Sequence, residues 1–481
     1  MIPTSAFEPT VSGPQRGFGP RQQAPRTGVG AGEQARRTGP CAPEQARRTR
    51  FWSRLCCAVF LALVLVAPSA TASTQDIVGF GARGPAMGGV TMASTRDTEA
   101  IYYNPAALTR SPLMTVSLGY IYGDSVLRVR GASLTDPAMR ASITDAAPVQ
   151  GLQIGASLLL PLKGWWKGRI ALGLGLLMPG KVIVRARLPK PYTPQFPLLG
   201  NRGEIVGVQL GLAFRIGWGL SVGVGVNALA GLFGGIDVGE NVLGKLGSTV
   251  ADELLTDFSL LAGVLYQPNA QWSVGIVYRG LSAAQFSLPI TVDLGGNFPF
   301  KIPTLNITGV AQFDPRQVGG SVAWRPIAPL LVEVGVTWKQ WSKFRQPIAN
   351  TTEGNPPLPA LRFHDVVVPR IGVEGEFVFG RHTLTLRGGY VFEKSPVPQQ
   401  LNRSNFLDND RHILTFGLGY RYLWGGRLDV RVDFFVQYHH LVSRTHTKDP
   451  GDLFAASNLG FPSVGSSGWF LAGGGYVSVG F

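Results

Sequence analysis

The feature that most constrains this chain is a strict two-residue alternation of apolar with small or polar residues, repeated along most of its length. In 206 to 218, Val206, Val208, Leu210, Leu212, Phe214, Ile216 and Trp218 alternate with Gly207, Gln209, Gly211, Ala213, Arg215 and Gly217. Successive side chains of a β-strand point to opposite faces, so the pattern predicts a strand with one greasy face. It recurs at Leu330, Val332, Val334, Val336 and Trp338, and at Leu428, Val430, Val432, Phe434, Val436 and Tyr438. Fourteen strands are expected in all, near 113–122, 152–161, 170–187, 204–218, 220–230, 257–267, 272–292, 305–325, 330–345, 365–379, 382–393, 411–423, 427–440 and 469–481.

Alternation alone does not separate a soluble sandwich from a membrane barrel; strand number, strand length and loop asymmetry do. Fourteen is even, as a bacterial barrel requires. The connections alternate between long (123–151, 188–203, 231–256, 293–304, 346–364, 394–410, 441–468) and short, as at Gly219 or Gly380-Arg381, which puts the short turns in the periplasm. Several strands exceed the roughly 9 to 11 residues needed to cross a bilayer at a tilt. Aromatic residues at strand ends, among them Tyr120, Trp218, Trp272, Trp324, Tyr420 and Trp424, suit interfacial girdles. The fold expected is therefore all-β: an antiparallel transmembrane barrel of fourteen strands over 113–481, in the outer membrane.

Composition agrees. Charged residues make up 15 % of the chain, against roughly 25 % in soluble proteins, and there are 63 glycines. No run of about 20 apolar residues follows the N-terminal region, which excludes a bundle of membrane-spanning helices. Arg47, Arg48, Arg50 and Arg54 precede an apolar run from Leu55 to Ala67, and Ala70-Thr71-Ala72 then offers a small-x-small cleavage pattern. We read 51–72 as a signal peptide rather than a buried soluble helix, and 1–50, rich in Arg, Pro, Gly and Gln, as a disordered extension or a mis-assigned start. Cys41, Cys56 and Cys57 all lie before the cleavage pattern, so neither a disulfide nor thiolate chemistry is expected after it. From residue 73 onward, 35 basic residues face 26 acidic ones, a net of +9. With no clustered basic stripe, that excess suits anionic lipid, lipopolysaccharide or anionic ligands rather than nucleic acid.

Between the signal and the first strand, 73–112 lacks barrel alternation. It holds Gly79-Phe80-Gly81-Ala82-Arg83-Gly84-Pro85-Ala86-Met87-Gly88-Gly89-Val90 and then Thr98-Glu99-Ala100-Ile101-Tyr102-Tyr103-Asn104-Pro105-Ala106-Ala107-Leu108. No βαβ context follows the glycines, so a phosphate loop is not supported. These stretches, with Tyr390-Val391-Phe392-Glu393-Lys394-Ser395-Pro396-Val397-Pro398 and Asp408-Asn409-Asp410-Arg411-His412, resemble the FadL-type long-chain fatty acid transporters, whose relatives include aromatic-hydrocarbon uptake channels. The resemblance covers most of 73–481. It implies a barrel plugged by an N-terminal hatch, a hydrophobic substrate captured outside and held in an apolar pocket, and release through a side opening when the hatch shifts. Within that frame Asn104, Pro105 and Ala106 are hatch residues.

In the third strand Pro179-Gly180 interrupts the alternation of Ile170, Leu172, Leu174 and Leu176. Proline lacks the ladder donor and glycine tolerates a bend, so either a wall opening or an ordinary bulge fits there. Asn104-Pro105 would fix a hatch turn against that bend. Alternation points Arg215, Arg279, Glu333, Glu374, Glu376, Arg387, Asp429, Arg431 and Asp433 inward, mostly as lumenal ion pairs. Arg215, Arg279 and Arg387 are candidates to bind a substrate carboxylate, a task that suits a bidentate guanidinium. Leu243, Leu246, Val250, Leu254 and Leu255 in loop 231–256 suggest short amphipathic helices or a packed cap. A terminal aromatic, Phe481, resembles the signal read by the barrel assembly machinery. Competing readings are a hydrocarbon channel, a nonspecific porin, a structural or adhesive barrel, and an enzyme built on Ser443 with His439, His440 and His446. The last lacks an identifiable acid or oxyanion site, and no catalytic residue, metal or cofactor is expected.

Overall fold

The structure, a computed structural model, describes residues 74–180, 184–185, 192–199, 204–240, 246–293, 305–344, 348–350, 361–451 and 458–481. The expected signal peptide and N-terminal extension lie outside them. Fourteen passes form one sheet: β1 (Met114–Gly131), β2 (Val149–Leu159), β3 (Ile170–Pro179), β4 (Gly207–Gly217), β5 (Leu220–Glu240), β6 (Leu246–Tyr266), β7 (Trp272–Arg279 and Ser282–Asp293), β8 (Leu305–Asp314 and Gln317–Ile327), β9 (Leu330–Lys339, resuming at Ile348–Asn350), β10 (Val366–Phe379), β11 (His382–Glu393), β12 (Arg411–Trp424), β13 (Leu428–Thr447) and β14 (Ser463–Gly480). Each pairs antiparallel with the next, and β14 returns to β1 in register from Thr115↔Gly480 to Gly131↔Val464, closing the barrel.

Which face is apolar decides what solvent the wall meets. On β4, Leu210, Leu212 and Ile216 are exposed while Gln209 and Ala213 are buried; on β9, Val334 and Val336 are exposed while Glu333 and Lys339 are buried. Phe434, Val436 and Tyr438 of β13 likewise face outward, with Gln437 and His439 inward. Apolar outside and polar inside is the inverse of a soluble protein and the arrangement lipid demands. Closure satisfies the backbone groups that an open edge would leave bare in hydrocarbon.

Several connections expected as loops are strand or helix. β1 runs on to Gly131, and part of 123–151 forms a helix at Pro137–Thr144 capped by Asp136. β13 continues to Thr447 and β14 begins at Ser463, shortening the loop expected at 441–468. The amphipathic helices expected in 231–256 are absent among the described residues there: β5 and β6 extend as one hairpin paired from Leu220↔Tyr266 to Glu240↔Leu246. Beyond Ala228, β5 has left β4, and Leu232–Gly239 instead runs parallel to Phe286–Asp293 of β7. β7 breaks at 280–281 and β8 at Pro315-Arg316, where proline removes a ladder donor.

Residues 74–112 form two short helices, Thr74–Val78 and Arg83–Ala86, then a one-turn helix at Ala100–Tyr103 between 3₁₀ turns at Asp97–Glu99 and Pro105–Arg110. This N-terminal segment packs on inward-facing side chains around the ring. Phe80, Ile101, Tyr102, Tyr103 and Leu108 share a core with Ala171 of β3, Ala213 of β4 and Leu265 of β6. Met87, Val90 and Ala93 pack with Ala323 of β8 and Leu331 of β9.

Candidate functional site: the lumen

Small residues on the inner wall let the N-terminal segment approach closely. A Cβ at Gly223 of β5 would lie 2.3 Å from the Ala106 nitrogen, and one at Gly263 of β6 would lie 2.1 Å from Asn104 Oδ1. Asn104 is fully buried and caps the Pro105–Arg110 turn, Oδ1 accepting from the Ala106 N–H at 3.1 Å. Its Nδ2 donates to the carbonyls of Met92 (2.8 Å) and Val264 (3.1 Å), tying two parts of the segment to β6. Asn104, Pro105 and Ala106 therefore sit together on β5 and β6. The sequence suggested a turn set against Pro179-Gly180, and the two do not meet: Gly180 lies at the opposite end of β3, beside Gln150 and Tyr120.

A second set of ties is ionic. Glu374 of β10 takes both Nε (2.7 Å) and Nη2 (2.9 Å) of Arg83, and also Nε of Arg387 (2.8 Å), whose Nη1 reaches Asp433 at 2.6 Å. Nearer the short turns, Arg96 pairs with Glu376 at 2.9 Å, and Arg431 bridges Asp97 and Asp429. Glu99 accepts three backbone N–H groups, from Ala82, Arg83 and Gly84, at 2.8 to 2.9 Å. Burial pushes its carboxyl above the usual range, opposed by those bonds and by the charges of Arg83 and Arg387. At the loop-bearing end, Lys339 links Asp76 (3.2 Å) to Glu393 (2.8 Å), and Arg411 joins Glu393 at 3.1 Å.

Between these two tiers lies a cavity, open at one side. Val78, Tyr102, Val277, Val391 and Ile413 give it apolar surface, Gln317, Thr337, Thr415 and Gln437 polar surface, and Asp76, Arg279 and Arg370 charge. The Arg279 guanidinium stands 4.2 Å over the Tyr102 ring and donates to the Tyr102 carbonyl at 2.8 Å. Arg370 donates to the Gly88 carbonyl at 2.7 Å. Of the three arginines singled out by sequence, only Arg279 lines this cavity. Arg387 is spent between Glu374 and Asp433, and Arg215 donates to the Thr109 carbonyl. Arg370 and Lys339 were missed, although the alternation that flagged Glu374 and Glu333 places both on the same inner face.

Pro179 is the last residue of β3. On the β2 side the ladder runs through it, Gly151↔Pro179, and the Gly180 N–H donates to the Gln150 carbonyl at 3.0 Å. On the β4 side pairing is interrupted after Leu177↔Gly207 and resumes beyond it at Val184↔Ile205 and Arg185↔Glu204. Phe481 extends the closure, its N–H donating to the Met114 carbonyl at 2.9 Å.

The residues considered for catalysis do not converge. They stand on β13 rather than in a solvated loop: His439 is buried and His440 exposed before a register shift between Leu441 and Arg444, and beyond it Ser443 is exposed and His446 buried. His439 packs edge-on against Phe470 at 5.0 Å, and His446 accepts from the Gln400 N–H at 3.2 Å. Among the described residues no cluster of His, Cys, Asp or Glu is arranged for a metal.

Residues 63–467 match the family model described as outer membrane protein transport protein (OMPP1/FadL/TodX). The chain belongs to this family. It is accordingly an outer-membrane β-barrel. Among curated relatives it is 24 % identical to alkane uptake protein A of Marinobacter nauticus over 378 residues, 72 % of this chain and 79 % of that one. It is 23 % identical to the long-chain fatty acid transport protein of Escherichia coli K12 over 401 residues, 72 % and 82 % of the two chains. Among solved structures, a FadL homologue of Pseudomonas aeruginosa superposes with a TM-score of 0.54 at 14 % identity, covering 83 % of this chain and 97 % of that one. The toluene transporter TodX of P. putida gives 0.52 at 15 % identity, covering 84 % and 99 %. These relatives are named as transport proteins; none of these names describes an enzyme.

Proposed function

We propose that this outer-membrane family member takes up hydrophobic molecules, holding them in the cavity between the N-terminal segment and the inner wall, with the short turns facing the periplasm. The observation that carries this reading is the cavity itself: a mixed lining in which Val78, Tyr102, Val277, Val391 and Ile413 stand among polar groups, closed below by the ion-paired N-terminal segment, an arrangement that can seat a solute with an apolar body and that obstructs bulk water. The segment acts as a hatch, with Asn104, Pro105 and Ala106 as its fixed turn. Release runs sideways past Pro179-Gly180, supported by the interruption of pairing between Leu177↔Gly207 and Val184↔Ile205. A lateral exit leads straight into lipid and spares an apolar solute a water crossing. Outer-membrane lipid, lipopolysaccharide and, through the strand that ends in Phe481, the barrel assembly machinery are its partners.

Arg279 and Arg370 give the cavity a cationic side that suits a fatty acid carboxylate. Both already donate to backbone carbonyls, which favours a second reading in which the cargo is a neutral alkane or aromatic hydrocarbon. Replacing both with glutamine separates the two. If carboxylates are bound there, uptake of a radiolabelled long-chain fatty acid falls about tenfold or more, as expected for losing a charged hydrogen bond, while toluene uptake is unchanged. Equal uptake of both by the variant and the parent rejects the carboxylate role.

A further inference from the structure

The connection between β2 and β3 is the longest of the short turns, and unlike the others it carries two adjacent indoles among cations: Leu160-Pro161-Leu162-Lys163-Gly164-Trp165-Trp166-Lys167-Gly168-Arg169. Trp165 and Trp166 are 59 % and 49 % exposed, an unusual cost in water for residues of this size. They are nevertheless ordered, edge to face at 4.9 Å, and both lean on Phe214 of β4 at 5.9 and 6.1 Å. Phe214 shares the outer face with Leu210 and Leu212, so the indoles stand on the lipid side of the rim, at the level where membrane proteins place tryptophan. Trp218, at the next short turn, is 93 % exposed and marks the same belt.

Charge adds what an ordinary girdle lacks. Arg169 lies 4.2 Å over the Trp165 ring, and its Nη1 donates to the Ile216 carbonyl at 2.6 Å, which locks the turn to β4. Among the described residues neither Lys163 nor Lys167 has a carboxylate partner, and the sequence contains no Asp or Glu between Asp145 and Glu204. Gly164 and Gly168 hold positive φ (63° and 65°), and a Cβ at either would meet nothing within 4 Å, so the space beside the lysines is open. A ten-residue turn offers far less than the roughly 800 Å² per partner of a stable protein interface, whereas a single lipid headgroup fits it.

We propose that this turn binds an anionic phospholipid of the periplasmic leaflet, Trp165 and Trp166 seating at headgroup depth while Lys163 and Lys167 close on the phosphate. The assignment to that leaflet rests on the orientation proposed above; the binding chemistry does not. The purified full chain in detergent, titrated with phosphatidylglycerol, phosphatidylcholine and lipid A and followed by native mass spectrometry, retains phosphatidylglycerol preferentially. The K163Q/K167Q pair lowers that retention about thirty-fold, two lysines' share of attraction to an anionic headgroup. W165A/W166A lowers retention of both phospholipids, and R381Q, at a turn without an indole pair, changes nothing. Heat-modifiable migration confirms that each variant is folded. Unchanged retention in K163Q/K167Q, an equal loss in R381Q, or a preference for lipid A over phosphatidylglycerol overturns the proposal. Orientation is read separately with Leu162→Cys: labelling of that thiol from outside intact cells refutes the assumed side while leaving detergent binding as it was.

Discussion

Glu374 accepts from two guanidiniums at once, one from the N-terminal segment and one from β11, and is almost completely buried. Removing one member of such a group leaves charge stranded in a low dielectric, a cost of about 3–5 kcal/mol. Glu374→Gln should therefore destabilise the folded protein by that amount and loosen Arg83. Thermal unfolding in detergent measures the first effect and single-channel conductance the second, with an unaltered melting temperature as the contrary result. Asn104→Ala leaves the Met92 and Val264 carbonyls without their side-chain donor and the Ala106 N–H without its acceptor, roughly 1–3 kcal/mol for each group left unsatisfied. Brief open-channel events should appear that the parent lacks. Residues such as Arg215, Arg387 and Arg279 were readable as inward-facing because alternation fixes direction. Their partners were not, since which of several lumenal charges meet depends on register between strands distant in sequence. The N-terminal segment, which supplies Arg83, Asp76 and Tyr102, has no period to read at all.

At the scale of elements, deleting 79–108 removes the apolar packing of that segment on β4 and β6, leaving only ties such as Gln75 to Gln209 and Thr109 to Arg215 and Ser221, and no strand pairing passes through it. The barrel should still assemble and should leak ions. Conductance equal to the parent's would show that the segment does not obstruct the lumen. Order and number of strands were legible because each strand carries its own two-residue pattern between turn residues. Strand ends were less so. The leucines at 246, 254 and 255 suggested helical faces, but Gly234-Gly235 disfavours helix, the β-branched Thr249-Val250 favours extended backbone, and pairing runs along the whole β5–β6 hairpin. The swap of β5 from β4 to β7 beyond Ala228 is a tertiary event without a local signal. Pro179-Gly180 was visible as an interruption, and its place at the end of β3 follows from proline's missing donor. Its intact pairing with β2 was not foreseeable.

The described residues form a closed wall with its apolar face outward and a lumen that holds a polar-tied segment beside a cavity of mixed lining. On the proposal above, a closed wall leaves cargo two routes, movement of the segment or the margin between β3 and β4 where pairing is interrupted. An aqueous porin would need neither, and would conduct ions freely with the segment in place. The most direct test is uptake of a radiolabelled long-chain fatty acid, a long-chain alkane and toluene by cells lacking their own transporter, with and without this protein. Uptake of at least one that depends on the protein, and that falls when Pro179-Gly180 is replaced by Val-Thr, is the result expected. A folded barrel in the outer membrane that raises the uptake of none of them would contradict the account.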